Sequence, residues 1–195
     1  MSDTTHLINA LIRDRRSIFP KTYIDKPIDP AIIQQVLENA NWAPTHKFTE
    51  PWRFRVITDQ GLDRLAETMA GWYKANFTGE NFSERKYKKI QTNPKRSGAV
   101  IAIVMQRDPE ERIPEFEEIA AVACAVQNMY LTCHAYGIGS YWSTPKSIYS
   151  EEIAGFLDLQ DGESCLGFFY MGHHEMPQLE GKRGPIAEKT RWIKD

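Results

Sequence analysis

The sequence predicts an α+β fold in which helices flank a sheet. Residues 99–105 and residues 165–171 are continuous apolar runs with the length and composition of buried strands. Between them, the residues from about 116 to 136 are apolar on every side and numerous enough for a long, buried helix, in a core or a subunit interface. Because helices and strands are mixed without strict alternation, we expect an α+β arrangement.

The length and composition of the chain fit one soluble domain spanning residues 1–195. The chain has 195 residues, of which 42% are hydrophobic and 26% are charged, and these values are typical of globular proteins. The formal net charge of −2 argues against a general nucleic-acid binder.

Cysteine usage and the N-terminal residues predict a cytoplasmic protein. The three cysteines, Cys124, Cys133 and Cys165, are an odd number at wide spacing and form no disulfide framework, so reduced thiols are the simplest interpretation. The first residues are polar and lack the apolar core of a signal peptide. No apolar stretch reaches the roughly 20 residues of a membrane helix, so we expect no membrane partner.

The N-terminal part predicts two helices separated by a proline-rich segment. The first helix is amphipathic, with apolar residues at helical spacing: Leu7, Ile8, Leu11 and Ile12. Prolines then interrupt regular structure. Asp29 followed by Pro30 predicts the start of the second helix, and Pro44 predicts its end. The buried face of this helix is expected to carry Ile33, Val36, Leu37 and Ala40.

The next segment predicts a strand, a helix and a polar excursion. Residues 53–58 alternate polar and apolar and predict a strand, and Asp59 is expected to cap the helix that follows. Residues 76–97 are polar and rich in lysine and arginine. We expect them to be a mobile excursion with one short helix, and the aromatic residues in and beside it allow a lid over a pocket.

The C-terminal part predicts a short strand, a short helix and a tail around the second apolar run. Gly137 and Gly139 are expected to end the long helix. Tyr141 and Trp142 form a short strand, and Ser150 caps a short helix. From Gly172 onwards the chain is polar, so we treat residues 172–195 as a C-terminal extension.

The first candidate binding segment is Arg15, Arg16 and Ser17. Two guanidiniums and a hydroxyl can bind a phosphate through charge-assisted, bidentate hydrogen bonds. The alternative is that both arginines only offset the dipole at the C-terminus of a helix.

The second candidate segment, residues 41–54, is rich in tryptophan, proline and histidine. It leads from the end of a helix into a strand, and a loop held by a rigid scaffold suits a planar ligand. The alternative is that Trp42 and Trp52 belong to the core and that His46 is a loop residue with satisfied hydrogen bonds.

The third candidate segment, residues 137–145, contains a GxG motif. The motif follows a helix instead of a strand, so its context excludes a Rossmann dinucleotide site. Ending the helix explains Gly137 and Gly139. It does not explain Trp142, Ser143 and Thr144, which place one large ring and two hydroxyls in a row.

Motifs for a metal site, a hydrolase or a kinase are missing from the sequence. His173 and His174 are adjacent and would point to opposite faces of an extended chain, so they do not chelate together. No second cluster with ligand spacing exists, and we expect no metal. The sequence also lacks the GxSxG, P-loop and HExxH motifs.

Taken in order, these segments resemble the nitroreductase family over nearly the whole chain. The motifs are RRS followed by YIDKPI near the N-terminus, then APTHKFTEPWRF, then YGIGSYW at the end of the long helix, and KRGP in the tail. Each motif is weak alone. Four in the right order and at the right separations are specific for the family, although not for a substrate.

The resemblance implies an intertwined homodimer built on a mainly antiparallel sheet, with FMN at the subunit interface. It implies that NAD(P)H reduces the flavin and leaves, and that a nitroaromatic, quinone or similar acceptor then takes the electrons in the same place. It assigns no side chain as an obligate acid or base. The residues that it implies for FMN binding are Arg15, Arg16, Ser17, Lys21, Trp42, His46, Trp142, Ser143, Thr144 and Arg183.

The resemblance also implies a division of roles. Residues 15–17 would hold the phosphate and ribityl end of FMN together with Arg183 from the tail, whereas residues 142–144 would lie along the ring. Trp42 and His46 would touch the flavin from one of the two partners. Two other flavin functions are compatible with the same fold: dehalogenation or dehydrogenation of a specific metabolite under a lid at residues 76–97, and flavin binding without catalysis.

The sequence departs from the family pattern at several of these positions. Many members have a basic residue two positions after RRS, where this chain has Phe19; Lys21 follows and could replace it. Trp42 stands where the closest subfamily has arginine, so it can pack but cannot donate charge. Phe48 and Glu50 likewise replace polar residues of many members. These changes concern the choice of substrate and the contacts to the ring.

Overall fold

A four-stranded antiparallel sheet organises the computed structural model, which describes residues 3–194. The strand order is β1-β2-β4-β3, and every neighbouring pair is antiparallel. The strands are β1 (Trp52–Ile57), β2 (Ala99–Gln106), β3 (Ile138–Ser143) and β4 (Glu163–His173). The two apolar runs of the sequence are therefore the two central strands, β2 and β4, as predicted.

Six α-helices surround this sheet in the described part of the chain. They are α1 (Asp3–Asp14), α2 (Pro30–Asn41), α3 (Gln60–Asn76), α4 (Glu84–Lys95), α5 (Glu115–Ala135) and α6 (Glu151–Leu157). Alternate residues of β2 point to opposite faces. Ile101 and Ile103 pack in the cluster that includes α2 and α5, while Val100 and Ala102 pack in the cluster that includes α3 and α6. This is the predicted α+β arrangement.

Two of the three predicted helix caps are formed. The Asp29 carboxylate accepts a hydrogen bond from the Ala31 N–H at 2.9 Å, with Pro30 in the first turn. The Ser150 hydroxyl accepts one from the Ile153 N–H. The prediction for Asp59 is wrong, because its carboxylate makes no capping bond. Asp59 has a φ of 48°, outside the extended conformation from which a capping side chain reaches the helix.

The segment at residues 76–97 contains a longer helix than predicted. α4 has 12 residues and packs against α3. Tyr73 of α3 is buried, its ring stacks on Phe77 at 4.7 Å between centroids, and its hydroxyl accepts a hydrogen bond from the Ser83 N–H at 3.0 Å. Aromatic packing therefore docks this segment on α3, and its role as a lid stays a prediction.

Only one side of the long apolar helix α5 is buried within the chain. The residues of this buried side include Ala121, Val122, Ala125, Val126 and Met129. On the opposite side the exposed fractions of Phe116 and Ile119 are 70% and 39%, and Ala120, Ala123 and Cys124 are exposed as well. An apolar stripe of this kind needs a second surface to cover it.

The described residues offer neither a membrane-spanning helix nor a metal-binding cluster. Between residues 3 and 194, no helix combines the length and the apolar character needed to cross a membrane. Within the same range, no group of three or more His, Cys, Asp or Glu side chains could hold a metal ion. From position 175 to position 194 the tail is exposed.

Candidate functional site

The segment after α1 runs along the edge strand β3. The Ile18 N–H donates to the Ser140 carbonyl at 3.0 Å, which places Ser17 directly beside this strand. Tyr23 holds this segment in place, because its buried hydroxyl donates a hydrogen bond to the Ile18 carbonyl at 2.9 Å. Burial raises the pKa of Tyr23 far above its usual value, so the group remains a phenol that can donate.

Arg15 and Trp142 are linked through a residue that the sequence did not single out. The guanidinium of Arg15 lies over the Tyr130 ring, 4.9 Å from its centroid, a cation–π geometry. The Tyr130 hydroxyl accepts a hydrogen bond of 2.6 Å from the Trp142 N–H. Tyr130 lies on α5, so this helix connects the basic segment to β3. One phenol in an apolar helix gives no signal in the sequence for this role.

The guanidinium of Arg16 contacts backbone carbonyls instead of an aromatic ring. Its Nη1 donates to the carbonyls of Arg13 and Arg15, while its buried Nε has no hydrogen-bond partner in the described chain. The guanidinium also touches the tail, because a Cβ built on Gly181 would come within 2.0 Å of Nη2. The tail therefore passes Arg16 only two residues before Arg183.

The end of β3 rests on the backbone of β4 at Gly167. Gly167 has a φ of 130°, and a Cβ built there would lie 2.5 Å from the Ser143 carbonyl and 2.7 Å from the Trp142 Nε1. The register of β4 against β2 shifts at this point, as expected for a β-bulge. Trp142 Nε1 is buried and has no hydrogen-bond partner among the described residues. Gly167 thus sets the position of residues 142–144.

Trp42 and His46 differ in their position relative to Arg15: Trp42 lines a cavity with Leu11 and Leu131, whereas His46 lies at the other end of α5. The exposed fraction of Trp42 is 79%, and its indole donates to Glu38 at 3.2 Å. His46 contacts Glu117 at the start of α5, with 2.7 Å between Nδ1 and the carboxylate. Since a helix rises 1.5 Å per residue, Glu117 and Tyr130 are about 20 Å apart along α5. One chain therefore does not bring His46 to the surface around Arg15.

Lys21 and Arg183, the two remaining basic residues of the predicted site, are both exposed. Lys21 lines a cavity of about 720 Å³ between the segment after α1 and helix α4. We call this space the α4 cavity. The Arg183 side chain donates to the Lys182 carbonyl in the tail. Within residues 3–194, neither side chain forms an ion pair.

Two partly buried histidines lie near Arg16. His134 and His174 line a cavity of about 450 Å³ that also includes Asp14, Arg16 and residues 176–179 of the tail. Burial lowers the pKa of both imidazoles. Nδ1 of His174 accepts a hydrogen bond from the Met176 N–H at 3.2 Å, which joins the tail to the end of β4.

The chemistry available at this site is binding of an anion and of a flat ring. Arg15 and Ser17 can hold an anion, while Tyr130 and Trp142 provide aromatic surface. Burial raises the pKa of Cys133 to about 12 and the pKa of Cys165 to about 11. Both therefore stay thiols at neutral pH and are poor nucleophiles.

Comparisons with known proteins agree with this fold over nearly the whole chain. Residues 12–173 match the model of the nitroreductase family. YfhC of Bacillus subtilis (strain 168), provisionally named an NAD(P)H nitroreductase, is 31% identical over 185 residues, which are 94% of this chain and 92% of that protein.

Two solved structures have the same fold. The nitroreductase-like family protein from Bacillus cereus superposes with a TM-score of 0.80 at 26% identity, covering 96% of both chains. The FMN-dependent nitroreductase NfnB from Mycobacterium smegmatis, solved in complex with NADPH, has a TM-score of 0.77 at 17% identity, covering 98% of this chain and all of that one. On the matched residues and the shared fold, the chain belongs to the nitroreductase family.

Proposed function

We propose that this protein is an FMN-dependent oxidoreductase that transfers electrons from NAD(P)H to nitroaromatic, quinone or similar acceptors. The observation that carries the proposal is the arrangement of Arg15, Tyr130 and Trp142 at the edge strand β3. It puts a cation next to an aromatic surface, which are the two features that a phosphorylated planar cofactor needs.

The described residues fit FMN at this place. Arg15, Arg16 and Ser17 would hold the phosphate and ribityl end with Lys21 and Arg183, and residues 142–144 would lie along the ring. Buried polar groups are nearly always hydrogen-bonded. The unpartnered Nε of Arg16 and Nε1 of Trp142 therefore support a site that a ligand completes. When bound, FMN accepts hydride from NAD(P)H and passes electrons to the acceptor.

The same proposal includes a homodimer in which each flavin contacts both chains. His46 lies too far from Arg15 to reach the same flavin within one chain. The apolar stripe of α5 at Phe116, Ile119 and Ala123 offers the surface for a second copy. A second copy would also bring its own Trp42 and His46 towards the first flavin.

In this account the protein binds and orients the cofactor and excludes water from it. No side chain is assigned as an obligate acid or base. The choice of cofactor and donor is supported by NfnB from Mycobacterium smegmatis, which is FMN-dependent and was solved with NADPH. A low-dielectric pocket strengthens the electrostatic contacts to the phosphate.

Anaerobic reduction tests the proposed function. Protein loaded with FMN is mixed with NADPH or NADH and should lose its yellow colour. After the nucleotide has been removed, a nitroaromatic compound or a quinone should restore the oxidised spectrum, which is the signature of a ping-pong reaction. Bound flavin that neither nucleotide reduces would instead indicate a flavin-binding protein without this activity. Reduced flavin that only one particular metabolite reoxidises would favour the alternative of a specific substrate.

A further inference from the structure

The α4 cavity is lined on one side by a basic face of α4. Arg85 and Lys89 are four residues apart on one side of α4, and Arg96 is the residue that follows the end of this helix. Lys86 and Lys21 also line the cavity, but the ammonium of Lys86 lies over the Tyr73 ring and Lys21 is assigned above to FMN. The remaining lining residues are Phe19, Pro20, Ser83, Thr92 and Asn93. The chain as a whole has a net charge of −2, so positive charge is concentrated here.

The cations of this cavity lack acidic partners. None of its lining residues is acidic. The neighbouring acids are used elsewhere, because Glu84 pairs with Lys88 at 3.7 Å and Asp63 pairs with Lys95 at 2.8 Å. In the part of the chain that the structure describes, Arg85, Lys89 and Arg96 form no ion pair. Converging cations of this kind create a positive potential that attracts an anionic ligand.

The α4 cavity adjoins the candidate flavin site. Phe19 lines the cavity, and its ring lies 4.6 Å from the ring of Tyr141. Tyr141 and Trp142 are neighbours on β3 but point to opposite faces of the sheet, so the cavity lies across this edge strand from Trp142. The segment after α1 connects the two places, because Arg15 belongs to the candidate flavin site and Phe19 lines the cavity. A long ligand would reach the cavity by following this segment.

We propose that the α4 cavity binds the phosphate groups of the pyridine nucleotide donor and favours NADPH over NADH. This inference rests on the proposed function, since it concerns the donor of that reaction. The volume of the α4 cavity, about 720 Å³, is larger than one small anion requires. It lies within the range of sites that bind nucleotide-sized ligands. NADPH carries one more phosphate than NADH, so it gains more from several cations.

The chemistry of the lining suits a phosphate group. Two guanidiniums, of Arg85 and Arg96, can each form paired hydrogen bonds to phosphate oxygens, and Lys89 adds a point charge. The hydroxyl of Ser83 and the amide of Asn93 add neutral donors at the same surface. A ribose phosphate can use both kinds of donor.

Binding of nucleotide fragments to the FMN-loaded protein tests this inference. The probes are adenosine 2′,5′-bisphosphate and adenosine 5′-monophosphate, titrated by calorimetry. The test variant is Arg85→Ala with Lys89→Ala. The control is Lys88→Ala, which removes the same kind of charge from another side of α4. Melting temperature and flavin content are measured for every variant.

We expect the bisphosphate to bind the unmodified protein more tightly than the monophosphate. The double variant should bind the bisphosphate about tenfold or more weakly than the unmodified protein does, whereas Lys88→Ala should bind it equally well. In turnover, kcat/KM should fall more for NADPH than for NADH, with flavin content unchanged. Equal binding of both probes, or an equal loss in Lys88→Ala, would overturn the inference.

Two further outcomes separate this inference from the proposed function. Loss of FMN from the double variant would mean that the cavity holds the phosphate of the flavin, and it would overturn the inference while leaving flavin dependence intact. Protein that binds no flavin but still binds the bisphosphate through Arg85 and Lys89 would support the nucleotide site and count against the proposed function.

Discussion

Arg15 is the residue on which the proposed phosphate site depends most. Its guanidinium is half-buried over Tyr130 and makes no ion pair in the described chain, so its charge is available to a ligand. Arg16, in contrast, already donates to two backbone carbonyls. We therefore expect the two arginines to contribute unequally, with Arg15 providing most of the affinity for the phosphate.

Replacing Arg15 with alanine should weaken FMN binding by about ten- to a hundredfold, the usual loss for one charge-assisted hydrogen bond. Arg15→Lys should lie in between, because lysine keeps the charge but not the paired donors. The dissociation constant is measured by titrating FMN into flavin-free protein. Arg13→Ala is the control, because its backbone carbonyl, and not its side chain, contacts Arg16. If both alanine variants bind FMN equally well, Arg15 is not a phosphate ligand.

His174 should make the tail sensitive to acid. Burial lowers its pKa in the folded protein, below the value of about 6.5 for an unfolded chain. Stability from the neutral form is therefore present above about pH 6.5 and is lost as the pH falls through the folded pKa. Protonation also removes the Nδ1 acceptor for the Met176 N–H.

The measurement is thermal unfolding at about pH 7.5 and about pH 5.5, compared between the unmodified protein and His174→Gln. Glutamine does not titrate, and its amide oxygen can accept the same hydrogen bond. We expect the melting temperature of the unmodified protein to fall more between the two pH values than that of the variant. The same fall in both proteins would exclude His174 as the cause and would point to His134, whose pKa is lowered in the same way.

The sequence indicates some individual site residues and not others. The run Trp142–Ser143–Thr144 stands out because an aromatic ring and two hydroxyls occur there without a structural need, whereas RRS becomes specific only together with the other motifs. Tyr130 and Gly167 do not stand out, because their roles arise only when α5 and β4 are placed beside β3. Contacts between elements that are distant in sequence leave no local sequence pattern, so they cannot be predicted from one.

At the scale of the elements, Gly167 of β4 controls where β3 ends. Gly167→Ala should destabilise the protein by about 1–3 kcal/mol, because a φ of 130° is strained for alanine. Its methyl group would also displace the Ser143 carbonyl and the Trp142 ring, so FMN affinity should fall as well. Chemical denaturation and FMN titration are the measurements.

Gly155→Ala is the matched control for this prediction. Gly155 lies in α6, and a Cβ built there meets nothing within 4 Å. The same substitution should therefore be neutral or slightly stabilising. A Gly167→Ala protein with unchanged stability and unchanged FMN affinity would show that the close approach of β3 to β4 does not matter.

The predictability of the elements follows the strength of their hydrophobic pattern. β2, β4 and α5 bury continuous apolar sequence, and their positions could be predicted to within one or two residues. α4 was underestimated because its composition is polar and most of its surface is exposed. Tyr73 of α3 holds α4 in place. The sequence of α4 itself does not indicate this contact.

At the scale of the whole molecule, the apolar stripe of α5 should hold two chains together. Ile119→Glu puts a charge in the middle of this stripe and should convert the dimer to monomers. Because the proposed site uses residues of both chains, FMN should be lost in the same variant. Sedimentation velocity and the flavin spectrum measure the two effects.

Val56→Glu is the control for the assembly. Val56 is an exposed apolar residue of β1, with 44% of its surface exposed, and it lies on another element. This variant should remain a dimer that binds FMN. If Ile119→Glu also remains a dimer with bound FMN, α5 is not the interface.

The most direct test of the central claim is the native mass of the protein after saturation with FMN and removal of the excess. The claim is that two copies of the chain together hold a flavin next to Arg15 and Trp142 of one copy and Trp42 and His46 of the other. Native mass spectrometry should then find two chains with two FMN molecules. A monomer, or a dimer that retains no FMN, would contradict it.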